Sequence, residues 1–201
     1  MENICNKGIA YTGISSFYQK WCTGDEEYLP SLKFYTEFLA GKQGKIMELG
    51  IGTGRIALAI IEKYPVRITG VDRCTAMLEQ CSYNYQMLMS KGQCFGTLNL
   101  IQQDMCSLSY FEEFDVVYLP FRTVGHLLSN EELEKMFVGV YNALKQKGFF
   151  VLDHYIFQRE WAEEHHGKDI IMYEDAELKI KDCYYYDFEH GMMECFVKVN
   201  E

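Results

Sequence analysis

Lys45-Ile46-Met47-Glu48-Leu49-Gly50-Ile51-Gly52-Thr53-Gly54-Arg55 decides the fold. Lys45–Leu49 reads as a short apolar strand that empties into three glycines at alternate positions. Arg55–Lys63 (RIALAIIEK) follows as a helix whose apolar positions cover most of its circumference. A helix that is apolar nearly all round needs cover on several sides, and a sheet beneath it supplies that. The missing Cβ atoms let the loop turn sharply and approach a ligand closely, while unpaired N–H groups at the helix start favour negative or electron-rich groups.

Working outward, strand and helix keep alternating. Arg67–Val71 is a second strand ending at Asp72, and Thr75–Met89 places Met77, Leu78, Cys81, Tyr85 and Leu88 at helical spacing. Leu98–Gln102 is a third strand ending at Asp104. Phe114–Leu119 is a fourth, stopped by Pro120, which cannot donate to a ladder. Asn130–Leu144 is a helix capped by Asn130, and Phe149–Tyr155 is a fifth strand after Gly148. Nearly continuous apolar strands separated by helices predict an α/β fold, with a mostly parallel central sheet covered by helices on both faces.

The flanks read differently. Met1–Pro30 is rich in aromatics and predicts one or two short helices, a segment over 1–30 long enough to act as a lid; Ser31–Ala40 is a helix before the first strand. After Tyr155 the rhythm changes: Ile170–Tyr173 and Leu178–Glu201 read as antiparallel strands, with Asp182–Phe188 and Met192–Asn200 flanking a turn at Glu189-His190-Gly191, and no further helix is expected. The expected organisation is one domain over 1–201, with a cofactor-binding core at 45–155 and an antiparallel hairpin at 170–201, over the substrate side or at an interface.

Composition bounds the partners. The 201 residues are 48 % hydrophobic and 24 % charged, as in globular domains. The formal charge of −10 comes entirely from the second half, where nine basic residues face twenty acidic ones while the first half is close to neutral. That half repels phosphate backbones and anionic lipid, which argues against nucleic acid or a membrane surface as the main partner. No apolar run is long enough to span a membrane and the N-terminus lacks a signal pattern, so a cytoplasmic location is expected, with the eight cysteines as reduced thiols. No metal is expected: His165-His166 has no carboxylate or cysteine at ligand spacing beside it.

Spacing narrows the ligand. A dinucleotide fingerprint needs a third glycine where Arg55 stands, and the phosphate-loop string G-K-[ST] is absent. Asp72, at the end of the second strand, is placed to accept from two ribose hydroxyls. The combination points to a nucleoside-containing cofactor.

The motifs then resemble those of a known family. Met47–Arg55 looks like the first motif of class I S-adenosylmethionine-dependent methyltransferases, and Thr69-Gly70-Val71-Asp72 with Met77-Leu78 is similar to their ribose-binding segment. Gln103-Asp104-Met105 is similar to their adenine segment. Phe114–Arg122 with His126-Leu127 resembles the fourth-strand motif of the small-molecule branch, and Leu144–Asp153 its closing segment. The resemblance implies a Rossmann-like sheet of seven strands in the order 3-2-1-4-5-7-6, with S-adenosylmethionine as cofactor and S-adenosylhomocysteine as product. By position it implies Gly50, Gly52 and Gly54 along the amino-acid and ribose part and Asp72, with the adjoining Arg73, at the ribose. Asp104 and Met105 fall at the adenine, Pro120 and Phe121 near the donor sulfur, and Tyr11 over the methionine moiety. Glu48 would shape the glycine loop and offset the cofactor's positive charges at a distance.

Other candidates follow from strand ends. Arg122 and His126 follow the fourth strand and His154 stands at the carboxyl end of the fifth, at the functional edge of such a sheet. Arg122 offers a rigid fork to an anionic substrate or orders the pocket wall. His126 or His154 is the candidate base, with capping of the turn before Leu127-Leu128 as the other reading of His126. Tyr18 and Trp21, with Phe17, form a helical stripe that either packs on a sheet or closes over the acceptor with Phe121. Two functions fit: methyl transfer to an N, O or C nucleophile of a small molecule, or a noncatalytic cofactor-binding subunit that pairs with itself or another chain through the C-terminal region. The second arises because too few residues follow Tyr155 to complete seven strands in the usual way; a truncated sheet would leave an exposed edge needing cover.

Overall fold

A computed structural model describes residues 11, 13–25, 28–42, 44–154 and 156–200. Of these, residues within 11–16 and 30–154 form one compact unit and those within 17–29 and 156–200 a second.

The first unit is a five-stranded, wholly parallel sheet. Its strands are β1 (Lys45–Leu49), β2 (Arg67–Asp72), β3 (Thr97–Gln102), β4 (Phe114–Leu119) and β5 (Leu144–Leu152), in the order β3-β2-β1-β4-β5. β1 pairs with both β2 and β4, so the strand order reverses there and opens a crevice beyond their carboxyl ends. Alternation on β1 and β4 divides the core. Ile46, Val116 and Tyr118 face one side, under Tyr35 and Leu39 of α2 (Tyr28–Leu39), Ile56, Ala57 and Ile60 of α3 (Arg55–Ile61) and Cys81 of α4 (Thr75–Ser90). Met47, Leu49, Val117 and Leu119 face the other, against Met136, Val140 and Ala143 of α5 (Asn130–Ala143). Helices therefore cover both faces. Pro30 falls in the first turn of α2, where its missing N–H has no intrahelical acceptor to lose.

The second unit holds α1 (Tyr18–Cys22), α6 (Arg159–His165) and an antiparallel sheet β6-β7-β8 (Asp169–Glu174, Lys179–Asp187, Met192–Asn200). Gly191 at φ 66° turns β7 into β8. Trp21 Nε1 donates to Asp182 Oδ1 at 2.7 Å, and a Cβ on Gly24 would lie 2.0 Å from the Met172 carbonyl oxygen, so α1 packs closely on this sheet.

Several expectations need correction. The central sheet has five strands among the described residues, not seven: the late strands pair with one another, and β7–β8 alone aligns nine residue pairs. The far edge of β5 carries no strand among the described residues. Beside it Phe149 is exposed, and Phe137, Val138, Val140, Tyr141, Leu144 and Phe150 line an apolar hollow of about 440 Å³. α6 was not expected, because its sequence REWAEEH buries only Ala162 and shows no apolar stripe. The cap of α5 is Ser129 rather than Asn130: Ser129 Oγ accepts from Glu132 N at 3.2 Å while Glu132 Oε2 accepts from Leu128 N at 3.0 Å, a reciprocal cap. β5 begins at Leu144, opposite Phe114, then bulges before Phe149 pairs with Val116. Gly148 fits closely there, since a Cβ would meet the Lys145 carbonyl oxygen at 3.0 Å.

Candidate active site

The crevice is built from three turns. The first is the glycine loop, with φ 65°, 55° and 85° at Gly50, Gly52 and Gly54. A Cβ on Gly50 would approach Thr123 Cγ2 to 2.5 Å, and one on Gly54 would approach Cys81 Sγ to 2.6 Å. Both the backbone angle and the space exclude larger residues. Asp72 ties this loop to β2: Oδ2 accepts from Gly52 N at 2.8 Å and Oδ1 from Cys74 N at 2.9 Å. Burial pushes the Asp72 carboxyl upward, and these two N–H donors pull it back. A carboxylate has about four lone-pair positions, so accepting two N–H groups leaves room for two hydroxyl donors.

The second turn leaves β4. Pro120 is buried and its carbonyl accepts from Thr123 Oγ1 at 2.7 Å. Phe121 and Arg122 follow at φ 57° and 61°, two consecutive side-chain-bearing residues in the left-handed region, at about 1–2 kcal/mol each. Arg55 and Arg122 place their guanidinium carbons 4.5 and 5.3 Å from the centre of the Phe121 ring. His126 closes the turn. Its Nε2 lies 2.9 Å from the Tyr11 hydroxyl and the two rings meet edge to face. The imidazole keeps solvent contact yet is set deep enough among protein atoms that lost hydration lowers its pKa; Arg73 lowers it further, and Asp72 opposes. Tyr11 thus touches His126 directly, and the charges of Asp72 and Arg73 reach the same imidazole.

The third turn follows β5. Asp153 Oδ1 accepts from Arg122 N at 2.7 Å, and His154 Cε1 lies 3.7 Å from the Cβ position of Gly125. Asp104 Oδ1 accepts from Cys106 N at 2.8 Å and caps the 3-10 turn Met105–Ser107, whose Met105 packs on the core under α5. Glu48 is fully buried. It accepts from Tyr118 Oη at 2.6 Å, and burial pushes its carboxyl up to about 8, against the pull of Tyr118, Arg55 and the Ala57 N–H. Tyr18 and Trp21 lie in the second unit, where their rings stand 5.3 Å apart. Sequence reasoning missed Ser31, Asp153 and the Arg55 guanidinium as contributors. The one signal for Asp153 was a carboxylate inside the apolar run Phe149–Tyr155, near its carboxyl end.

A parallel sheet with left-handed glycines after β1 and a carboxylate at the end of β2 bracing them is the Rossmann-like arrangement that the resemblance to class I methyltransferases implies, with S-adenosylmethionine as the implied cofactor. The residues fit that group: a bare loop, a carboxylate with spare acceptor positions and a neighbouring turn. The profile of the methyltransferase domain family matches residues 46–148, and the chain belongs to that family. It is 31 % identical over 117 residues to a candidate methyltransferase of Geobacillus sp. strain WCH70, covering 56 % of this chain and 44 % of that one. An S-adenosylmethionine-dependent methyltransferase from Clostridium acetobutylicum ATCC 824 superposes with a TM-score of 0.67 at 20 % identity, covering 94 % of this chain and 80 % of that one. CalS10 of Micromonospora echinaspora, an amino pentose methyltransferase with the cofactor bound, gives 0.62 at 15 %, covering 94 % and 80 %. The chain spans less than half the length of the curated relatives it matches. No helix among the described residues is long and apolar enough to cross a membrane.

Proposed function

We propose that the chain transfers the methyl group of S-adenosylmethionine to an N, O or C nucleophile of a small-molecule acceptor. The observation that carries this is the Asp72 carboxylate bonded to Gly52 N across the ends of β1 and β2, beside three left-handed glycines. In this reading Gly50, Gly52 and Gly54 lie along the amino-acid and ribose part, and Asp72 with Arg73 holds the ribose. Asp104 and Met105 face the adenine, and Tyr11, held by His126, covers the methionine moiety. Glu48 serves the site indirectly, as a neutral group under the glycine loop. Bound S-adenosylmethionine supplies an activated methyl on a sulfonium, so the protein's work is to hold donor and acceptor in line and exclude water. Pro120 and Phe121 form the wall nearest the transfer, and Arg122 holds an anionic acceptor group. Incubation with isotopically labelled S-adenosylmethionine and a small-metabolite pool, read by mass spectrometry, tests the reading. Label found only in macromolecules, or nowhere, rejects it.

When the acceptor must lose a proton, His126 takes it, with His154 the second candidate. The lowered pKa of His126 keeps the imidazole neutral at neutral pH, as a base requires. Turnover should therefore rise with pH and level off with a midpoint below the ordinary histidine value. His126→Asn should remove that limb and slow turnover by about a hundredfold or more. An unchanged profile assigns the base elsewhere, and His154→Asn is measured in parallel.

The C-terminal sheet also exposes Met192, Met193 and Tyr185, which suit self-association or a partner chain there. Light scattering of the cofactor-loaded protein decides this, and a monomer with full turnover removes it.

A further inference from the structure

Asp153 lies one residue past β5, and four elements converge on it. Its N–H donates to the Leu119 carbonyl at 3.4 Å, holding the end of β4. Its Oδ1 accepts from Arg122 N at 2.7 Å, inside the left-handed turn. Its Oδ2 accepts from Ser31 Oγ of α2 at 3.2 Å, and Ser31 Oγ in turn accepts from Arg55 Nη2 of α3 at 3.3 Å. The buried Tyr35 hydroxyl, also on α2, donates to the same Leu119 carbonyl at 3.5 Å. Arg55 then lies over the Phe121 ring, so the chain of contacts closes on the residue it began beside.

This arrangement answers a physical problem. Two successive residues with side chains do not hold left-handed angles unless their surroundings enforce them. The enforcing contact here is a charge-assisted bond from a carboxylate to the Arg122 amide, stronger than a neutral one and short. The carboxylate is itself fixed by Ser31, on a helix packed into the core through the fully buried Tyr35. The same backbone segment carries His154 toward Gly125.

We propose that Asp153 is a positioning residue. It locks the Pro120–Phe121–Arg122 turn through the Arg122 amide and, through Ser31 and Arg55, fixes the Phe121 ring at the wall where donor and acceptor meet. Its functional half rests on the methyltransferase reading. Asp153 touches neither reactant; it acts through Phe121 and Arg122.

The test compares Asp153→Ala and Asp153→Asn with the unchanged protein in three measurements. These are hydrogen exchange at the Arg122 amide by NMR, calorimetry with S-adenosylhomocysteine, and label transfer from S-adenosylmethionine to the small-metabolite pool. The alanine variant should speed exchange at Arg122 about a hundredfold while the Val117 amide is unmoved. It should lower kcat about a hundredfold, since misplacement near 1 Å has that effect. Donor KM and S-adenosylhomocysteine affinity should move less than threefold, because the glycine loop and Asp72 are untouched. Asparagine keeps an acceptor oxygen in place and should recover kcat to within about tenfold. Unchanged exchange at Arg122 overturns the proposal, as does a loss of kcat matched by an equal loss of affinity, which is general damage. If the alanine variant does not fold, asparagine carries the test: exchange must rise by about threefold or more with a fall confined to kcat, and anything less overturns it. An unchanged protein that neither binds S-adenosylhomocysteine nor transfers label brings down the methyltransferase reading and this role with it. A protein that does both, with variants that match it, brings down the positioning role alone.

Discussion

Asp72→Ala should weaken S-adenosylhomocysteine binding about a thousandfold and lower stability by about 2–4 kcal/mol. The two effects have different sources. In the protein alone, the carboxylate accepts from Gly52 N at 2.8 Å and Cys74 N at 2.9 Å, and removing it leaves two part-buried N–H groups without their acceptor. Hydrogen bonds to a charged group contribute about 1.5–3 kcal/mol each, and partial hydration of the vacated space returns some of that. The affinity loss adds two further bonds, from ribose hydroxyls, and the slackening of the glycine loop once Gly52 is no longer tied to β2. Asp72→Asn separates them. Its single carbonyl oxygen replaces one of the two backbone acceptors, so stability should recover at least halfway, while affinity stays at least thirtyfold weakened because the charge is gone. Calorimetry and urea unfolding on the three proteins provide the numbers. An alanine variant with wild-type affinity would remove Asp72 from the ribose, and with it the observation on which the functional reading stands.

Which parts of this were legible in the sequence follows from the range of the forces involved. β1, β2 and β4 come within a residue or so of their apolar runs because their burial is nearly continuous, and α4 does because its buried Met77 and Cys81 recur one turn apart. The glycine loop was legible for a similar reason: three alternating glycines have few other uses at the end of a strand. The cap of α5 was misplaced by one residue because Ser129 and Asn130 are both good caps, and only the answering contact from Glu132 decides between them. α6 left no signal, since a seven-residue helix that buries one alanine owes its place to β7 and not to its own pattern. The five-strand sheet could not be read either, because β6, β7 and β8 have the same apolar alternation whether they join β5 or each other. At the site, Asp72 was marked by its place at the end of a strand. The convergence of Ser31, Arg55 and Asp153 was invisible, because those residues are separated by as many as 122 positions and meet only through the sheet order. Glu48 stood in the sequence as a charge near the cofactor; burial against Tyr118 makes it a largely neutral group at neutral pH.

That neutrality has the largest consequence for stability. Glu48→Gln should leave stability near pH 5 within about 1 kcal/mol of wild type, yet stabilise the protein by several kcal/mol above pH 8. In the unfolded chain the carboxyl titrates near its ordinary value of 4.5, whereas in the fold burial raises it to about 8. Between those two values the folded state keeps a proton that the unfolded state has released, so stability must fall as pH rises through that interval. At 1.36 kcal/mol per pH unit the full loss approaches roughly 5 kcal/mol above pH 8, a large share of the 5–15 kcal/mol that holds a typical domain together. Glutamine fills nearly the same volume and cannot ionise, so the slope assigned to this position disappears. Its carbonyl oxygen can still accept from the Ala57 N–H, and the Tyr118 hydroxyl can turn to accept from the new amide. Urea unfolding from pH 5 to 9 measures both curves. Parallel curves would mean that Glu48 is ionised in the fold throughout, balanced by Arg55 across the core. The neutral pairing with Tyr118 would then be wrong, while the role of Asp72 would be untouched.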